Sequence, residues 1–137
     1  MDKQDGVVNI HGKQYKTVAL RVHEFRGVHP IEEGWCIDSR LISAGEDVVV
    51  MRAEVRDPEG RLVASGYAEE RRSSSQINRT SALENCETSA IGRALAAAGL
   101  AGTEYASANE VQNAIHQQDN PPPKTREQEQ QDKIREI

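Results

Sequence analysis

The chain has 137 residues, 17 Lys and Arg against 22 Asp and Glu for a net charge of −5, with 36% hydrophobic and 28% charged residues. That length suits one domain and is too short for two sizeable cores, and the acidic balance argues against indiscriminate binding of polyanions. No apolar run approaches the roughly 20 residues of a membrane span and no signal-peptide pattern opens the chain, so the expected setting is cytoplasmic, with no membrane contact.

Residues 1–6 read as a disordered start. Val7 to Ile10 and Gln14 to Thr17 suit a short hairpin around His11-Gly12. Val18, Val22 and Phe25 then recur at helical steps, predicting a short helix from Thr17 to Arg26 that Gly27 and Pro30 end. Three strands follow. Trp35 to Ile42 alternates, with Trp35, Ile37 and Leu41 on one face. Val48 to Arg56 points Val49, Met51, Ala53 and Val55 inward and Arg52, Glu54 and Arg56 outward. Asp57-Pro58-Glu59-Gly60 is a tight turn, and Leu62 to Glu70 offers Leu62, Ala64, Gly66 and Ala68 as a small-residue face.

Ser81 and Glu84 have the spacing of a capping box, and Leu83, Cys86, Ala90, Ile91, Ala94, Leu95 and Ala98 form an apolar stripe behind them. Gly99 supplies a left-handed stop. The predicted helix from Ser81 to Gly99 is the one long amphipathic element available to cover the sheet. The fold class is therefore α+β: a three-stranded antiparallel meander packed by one long helix, with a short N-terminal hairpin and helix. Leu100 to Tyr105 reads as a loop. Ser107 caps a short helix to Gln117, with Val111, Ala114 and Ile115 as its apolar contacts. Residues 7–117 thus form one domain. Beyond Gln118, Pro121-Pro122-Pro123 and a Gln-, Glu-, Lys- and Arg-rich stretch predict a flexible tail with a transient helix, or equally the start of a longer C-terminal region.

Catalysis finds little support. Ser73-Ser74-Ser75 lacks a G-x-S-x-G context, no phosphate-binding glycine loop is present, and the acid pairs Glu32-Glu33 and Glu69-Glu70 are adjacent rather than convergent. The protein is expected not to be an enzyme and to need no cofactor. His11, His23, His29 and His116 show no metal-ligand spacing with Cys36 or Cys86, which read as reduced, small core residues.

Binding is better supported. Residues 1–117 hold 13 Lys and Arg and 17 Asp and Glu, yet Arg71 to Arg79 contains three arginines and no acid. Arginine forks and the short donors Ser73, Ser74, Ser75 and Asn78 suit phosphates, and the segment leads into the main helix, whose free amides favour an anion. The opposite side of that helix, Asn85, Ser89, Gly92, Arg93 and Ala96, is small and lightly charged. Ser89, Gly92 and Ala96 are the expected contact with another subunit, with close backbone approach at Gly92. Only one Trp, three Tyr and one Phe are present, and Trp35 and Phe25 suit the core. A nucleic acid would then be held by its backbone, leaving its bases free to pair.

The block GYAEERRSSSQINRTSALENCETSAIGRALAAAGL, followed by ASANEVQNA, resembles a group of small phage and prophage recombination-associated proteins. Their pattern is GxAxE…SSxxN[KR]TSxxENCETSAxGRAL followed by ASxxEVxNA. The element order also resembles the core of Erf-type and Rad fifty-two-like single-strand annealing proteins. The resemblance covers about residues 15–115 and is densest from Gly66 to Leu95. It implies an oligomeric ring or filament in the bacterial host cell that binds single-stranded DNA and anneals strands without ATP. A phage or host recombination partner is also possible on that likeness, which adds Arg93 to Arg71, Arg72 and Arg79 as DNA contacts. Two further readings stand: a protein-interaction module, accessory or inhibitory in phage recombination or defence, and a small-molecule- or nucleotide-handling α+β domain.

Overall fold

In the computed structural model, which describes residues 5–119 and 126–135, the chain opens on an antiparallel hairpin, β1 (Val7–Ile10) and β2 (Lys13–Lys16). The expected two-residue turn forms, with φ of 50° at His11 and 84° at Gly12. Positive φ at both central positions gives the turn a twist that matches the flanking strands. The start expected to be disordered falls mostly outside the described residues, although Asp5-Gly6 forms a turn and Gly6 O accepts from Thr17 N–H at 2.7 Å.

Helix α1 (Val18–Val28) starts at Thr17, whose hydroxyl accepts from Leu20 N–H at 3.1 Å. It passes through Gly27 rather than stopping there and ends where His29 N–H bonds Phe25 O. Three antiparallel strands follow in order, β3 (Cys36–Ala44), β4 (Val48–Arg56) and β5 (Leu62–Arg71). The turn between β4 and β5 is closed by Gly60 N–H to Asp57 O at 2.9 Å.

Helix α2 (Gln76–Leu95) lies on the sheet, its Ala82, Cys86, Ala90, Ala94 and Leu95 packed on Val49, Met51, Ala53, Val55 and Ala64. Small residues on both layers let the backbones approach. A Cβ on Gly66 would sit 2.6 Å from Ala94 N and 2.8 Å from Ala90 O. The Cys86 thiol is buried between helix and sheet, 3.2 Å from Ala68 O and 3.5 Å from Val49 O, and burial pushes its pKa up.

Several expectations need correction. The main helix begins at Gln76, not Ser81: Ser75 is its cap, accepting from Asn78 N–H at 3.1 Å. Ser81 sits at a kink inside it, with φ −127° and ψ 23°. The serine-to-glutamate spacing marks a break in the helix, not its start. Gly99 has the left-handed φ of 101°, but it lies inside a π-helical turn, Ala96–Leu100. Cys36 is exposed, because its register opposite Arg56 puts it on the sheet face that α2 does not cover. Leu41 is 53% exposed on the edge strand β3, and Leu62 is 43% exposed where a register shift pairs it with Arg56. Trp35 is half-buried on Phe25 and stacked on His29, with ring centroids 3.7 Å apart.

Helix α3 (Ala108–Asp119) carries a true capping box: Ser107 Oγ accepts from Glu110 N–H, and Glu110 Oε1 accepts from Ser107 N–H. Its docking is polar as much as apolar. Ala114 is exposed and Val111 and Ile115 half-buried, whereas Asn113 and Gln117 donate to Glu70 on β5. Helix α4 (Arg126–Arg135) follows, with no buried residue. The triple-proline spacer lies outside the described residues.

Replacing Gly66 with alanine drives a methyl into the α2 backbone. The expected outcome is a loss of about 1–3 kcal/mol in denaturant unfolding, and an unchanged midpoint would show that the helix lifts freely.

Candidate nucleic-acid interface

The segment joining β5 to α2 is shaped by hydrogen bonds that enlist several of the candidate side chains. Arg72–Ser74 forms one 3₁₀ turn. Arg72 N–H donates to Asp47 O, while Ser73 donates its N–H and hydroxyl to the Asp47 carboxylate at 2.9 and 3.0 Å. Those two bonds, backbone first, hold Asp47 below its ordinary carboxylate range. Arg71 lies 3.5 Å from the same carboxylate.

Asn78 is fully buried and faces the protein rather than a ligand. Its amide donates to Glu70 Oε2 at 2.7 Å, Ser74 Oγ at 2.8 Å and Arg71 O at 3.1 Å. Ser74 in turn donates to Arg71 O at 2.7 Å. Asn78 and Ser74 therefore build the segment, and the free cations it presents are Arg72 and Arg79, which make no ion pair among the described residues. Arg93 stands apart on α2, 3.3 Å from Glu110 and with its guanidinium over the Tyr105 ring.

The small face of α2 is covered by the chain itself. Gly92 is buried, and a Cβ there would lie 2.7 Å from Val18 Cγ2 of α1. Ala96 is buried as well. The close approach expected at Gly92 is real, but its partner is α1 and not a second subunit. Of the expected oligomer contacts only Ser89 is left partly accessible, in the cleft beside α3.

The open face of the sheet adds a cluster that strand alternation alone did not flag. Glu54 points outward as expected, yet it is buried beneath Arg40, Arg52 and Arg56 at 3.4, 2.8 and 2.8 Å. Register brings these together: Arg40 pairs with Arg52, and Arg52 with Tyr67. Arg52 also donates to the Tyr67 hydroxyl at 2.6 Å and lies over its ring. One carboxylate thus serves three guanidiniums, leaving donor capacity on the exposed Arg40. The signal available in the sequence was the run Arg52-x-Glu54-x-Arg56, whose partner Arg40 only the register reveals.

Among the described residues, no group of three or more His, Cys, Asp or Glu could hold a metal ion. None of the described helices is long and apolar enough to cross a membrane.

Fold and surface together define a small α+β domain, a helix, a three-strand meander and a covering helix, with arginines on two exposed sites. A family model described as Slr1353 N-terminal dsRNA-binding domain-like matches residues 22–98, from within α1 to the turn after α2. This is more than half of the chain, which belongs to that family. No curated protein and no solved structure gives a significant match.

Bonds from Arg52 first, then Arg56, draw the Glu54 carboxyl down from 4.5 to about 2, against the opposing effect of its burial. A folded-state pKa below the unfolded one stabilises the fold above about pH 4.5, and that contribution is lost as pH falls toward 2. Over that window the melting temperature of the wild type should fall more steeply than that of Glu54→Gln. Parallel curves would show that the carboxylate does not carry the difference.

Proposed function

We propose that this protein binds nucleic acid along its sugar-phosphate backbone, with Arg72 and Arg79 as the leading phosphate contacts. The observation that carries this reading is the pair of arginines at the start of α2 without acid partners among the described residues, in a chain whose family is described as dsRNA-binding domain-like. Arg40, on the open sheet face, adds a further guanidinium with donors to spare. Arg71 contributes less, because Asp47 already lies against it.

The finer reading is single-stranded DNA binding with ATP-independent annealing. It rests on the resemblance of the Gly66 to Leu95 block to phage recombination-associated proteins. Phe25, in the core, and Trp35, half-buried on His29, agree with it, while Tyr67 and Tyr105 stay exposed, each beside an arginine. A strand held by phosphates keeps its bases available for pairing. Self-association then falls to the sheet edges at β3 and β5, since the small face of α2 is occupied.

Each phosphate neutralised on a single strand contributes about −0.7 to the log–log salt slope. Arg72→Ala combined with Arg79→Ala should therefore flatten the slope for oligothymidylate by about 1.4 units, with the melting temperature unchanged. A folded double variant with the wild-type slope would overturn the assignment. Comparing single-stranded DNA with duplex RNA of equal length decides between the finer readings, and strand annealing without ATP tests the activity itself.

A further inference from the structure

Strand β3 is one edge of the sheet, and among the described residues only β4 bonds to its backbone. Natural edges are commonly blunted by lysine, proline or short length. This one is nine residues long, has neither residue type, and leaves Leu41 and Ile42 half-exposed side by side. Helix α2 packs mainly over β4 and β5, so it does not cover the edge. The other edge, β5, is less open, because α3 already reaches its end, where Asn113 and Gln117 donate to Glu70.

The charges of β3 are mismatched within their own chain. Register sets Asp38 opposite Glu54 and Arg40 opposite Arg52, and like charges directly opposite each other weaken a strand pair. Asp38 is exposed and has no hydrogen bond or ion pair among the described residues. Arg40 has one contact, 3.4 Å to Glu54, and its side chain is 58% exposed, so most of its donors are open. A base beyond Asp38 and an acid beyond Arg40 would complete both rows.

We propose that this edge pairs with the same edge of a second copy, β3 against β3, antiparallel about a two-fold axis at Ser39. Residues directly opposite in an antiparallel pair share a face of the sheet, so such a pairing centres on a single residue. Centring on Asp38 or Arg40 sets like charges face to face. Centring on Ile37 or Leu41 leaves both charges opposite uncharged residues. Centring on Ser39 puts Asp38 opposite Arg40 twice on the open face, and Ile37 opposite Leu41 twice on the α2 face. Each open-face row then runs from Glu54 and Asp38 to Arg40 and Arg52 of the second copy. The bulge between Leu41 and Ser43 lies at the end of this register, where it turns the strand away. A like pair also comes near the axis, since each Ser39 donates to its own Glu87 at 2.7 Å, but that carboxylate is exposed and screened. The two three-stranded sheets become one, with both α2 helices on the same side. The inference rests on the self-association in the proposed function and names its surface. It draws Arg40 into the contact and leaves the phosphates to Arg72 and Arg79.

Sedimentation without nucleic acid separates this claim from the backbone reading, which can fail without touching it. The wild type should form dimers as its concentration rises. Asp38→Arg and Arg40→Asp should each weaken the dimer about tenfold, because each turns two opposite-charge pairs into two like-charge pairs. Mixing the two variants should restore it, since two bases then face two acids. A wild type that stays monomeric at every concentration overturns the proposal, as do variants that leave the dimer unchanged or gain nothing on mixing. Assembly beyond a dimer would place the contact between β3 and β5 and overturns it as well. Both variants touch the Glu54 cluster, so a second test leaves the charges alone. Cα atoms directly opposite stand about 4.5–5.5 Å apart, within disulfide reach. Mild oxidation should therefore link Ser39→Cys, made in Cys36→Ser, into covalent dimers. Ser43→Cys in the same background, whose two copies would stand more than about 20 Å apart, should not link. Equal linking of the two, or no linking of Ser39→Cys, overturns the register.

Discussion

The guanidinium of Arg21 ties together the parts of this protein that lie beyond the sheet. It is fully buried and donates to four backbone carbonyls: Gly92 O at 2.8 Å, Glu104 O at 3.1 Å, Tyr105 O at 2.9 Å and Ala106 O at 3.2 Å. Burial pushes its pKa down, while Glu110 pulls in the other direction. Among the described residues no carboxylate forms an ion pair with it, so carbonyl dipoles carry the compensation. Hydrogen bonds to a charged group are worth roughly 1.5–3 kcal/mol each, enough to hold α1, the second half of α2 and the segment before α3 in one arrangement. Without that clamp, Ser107 has no fixed place from which to cap α3, and the cleft beside α2 has no second wall.

Two of the buried carboxylates, Glu54 and Glu70, differ in the partners they gather. Glu54 sits among Arg40, Arg52 and Arg56 on the open face, where register also sets Asp38 opposite it. Glu70 sits among the carboxamides of Asn78, Asn113 and Gln117 where β5, α2 and α3 meet. A charge stabilised by neutral donors orders those amides, and their far ends inherit a defined polarity. One acid gathers cations at the surface; the other orients dipoles inside.

The surface left to a ligand is smaller than a count of arginines suggests. Arg21 is structural, Arg61 pairs with Asp57, Arg71 with Asp47 and Arg93 with Glu110. In a chain of net charge −5, binding to phosphates depends on the few guanidiniums whose donors are not already taken. Their positions, at the start of α2 and on the uncovered sheet face, follow from α1 and α2 covering the other surfaces.

The sequence by itself determined the meander and its cover. Alternation in Val48 to Arg56 defines β4 residue for residue, and Asp57 to Gly60 carries its own turn chemistry. His11-Gly12, Thr17 and Ser107 likewise act through neighbours two to four residues away, so local pattern reveals them. What the tertiary structure decided lies in contacts across long stretches of chain. Ser75 rather than Ser81 starts α2 because buried Asn78 anchors the first turn to β5. Gly92 and Ala96 look like a free small face until α1, some 70 residues earlier, covers them, with Arg21 reaching Gly92 O across a separation of 71. Asn78 and Ser74 look like ligand donors until Glu70 and Arg71 O claim them. A polar side chain shows its type in the sequence, but whether it is free to bind depends on which distant group meets it first, and only the fold brings those groups together.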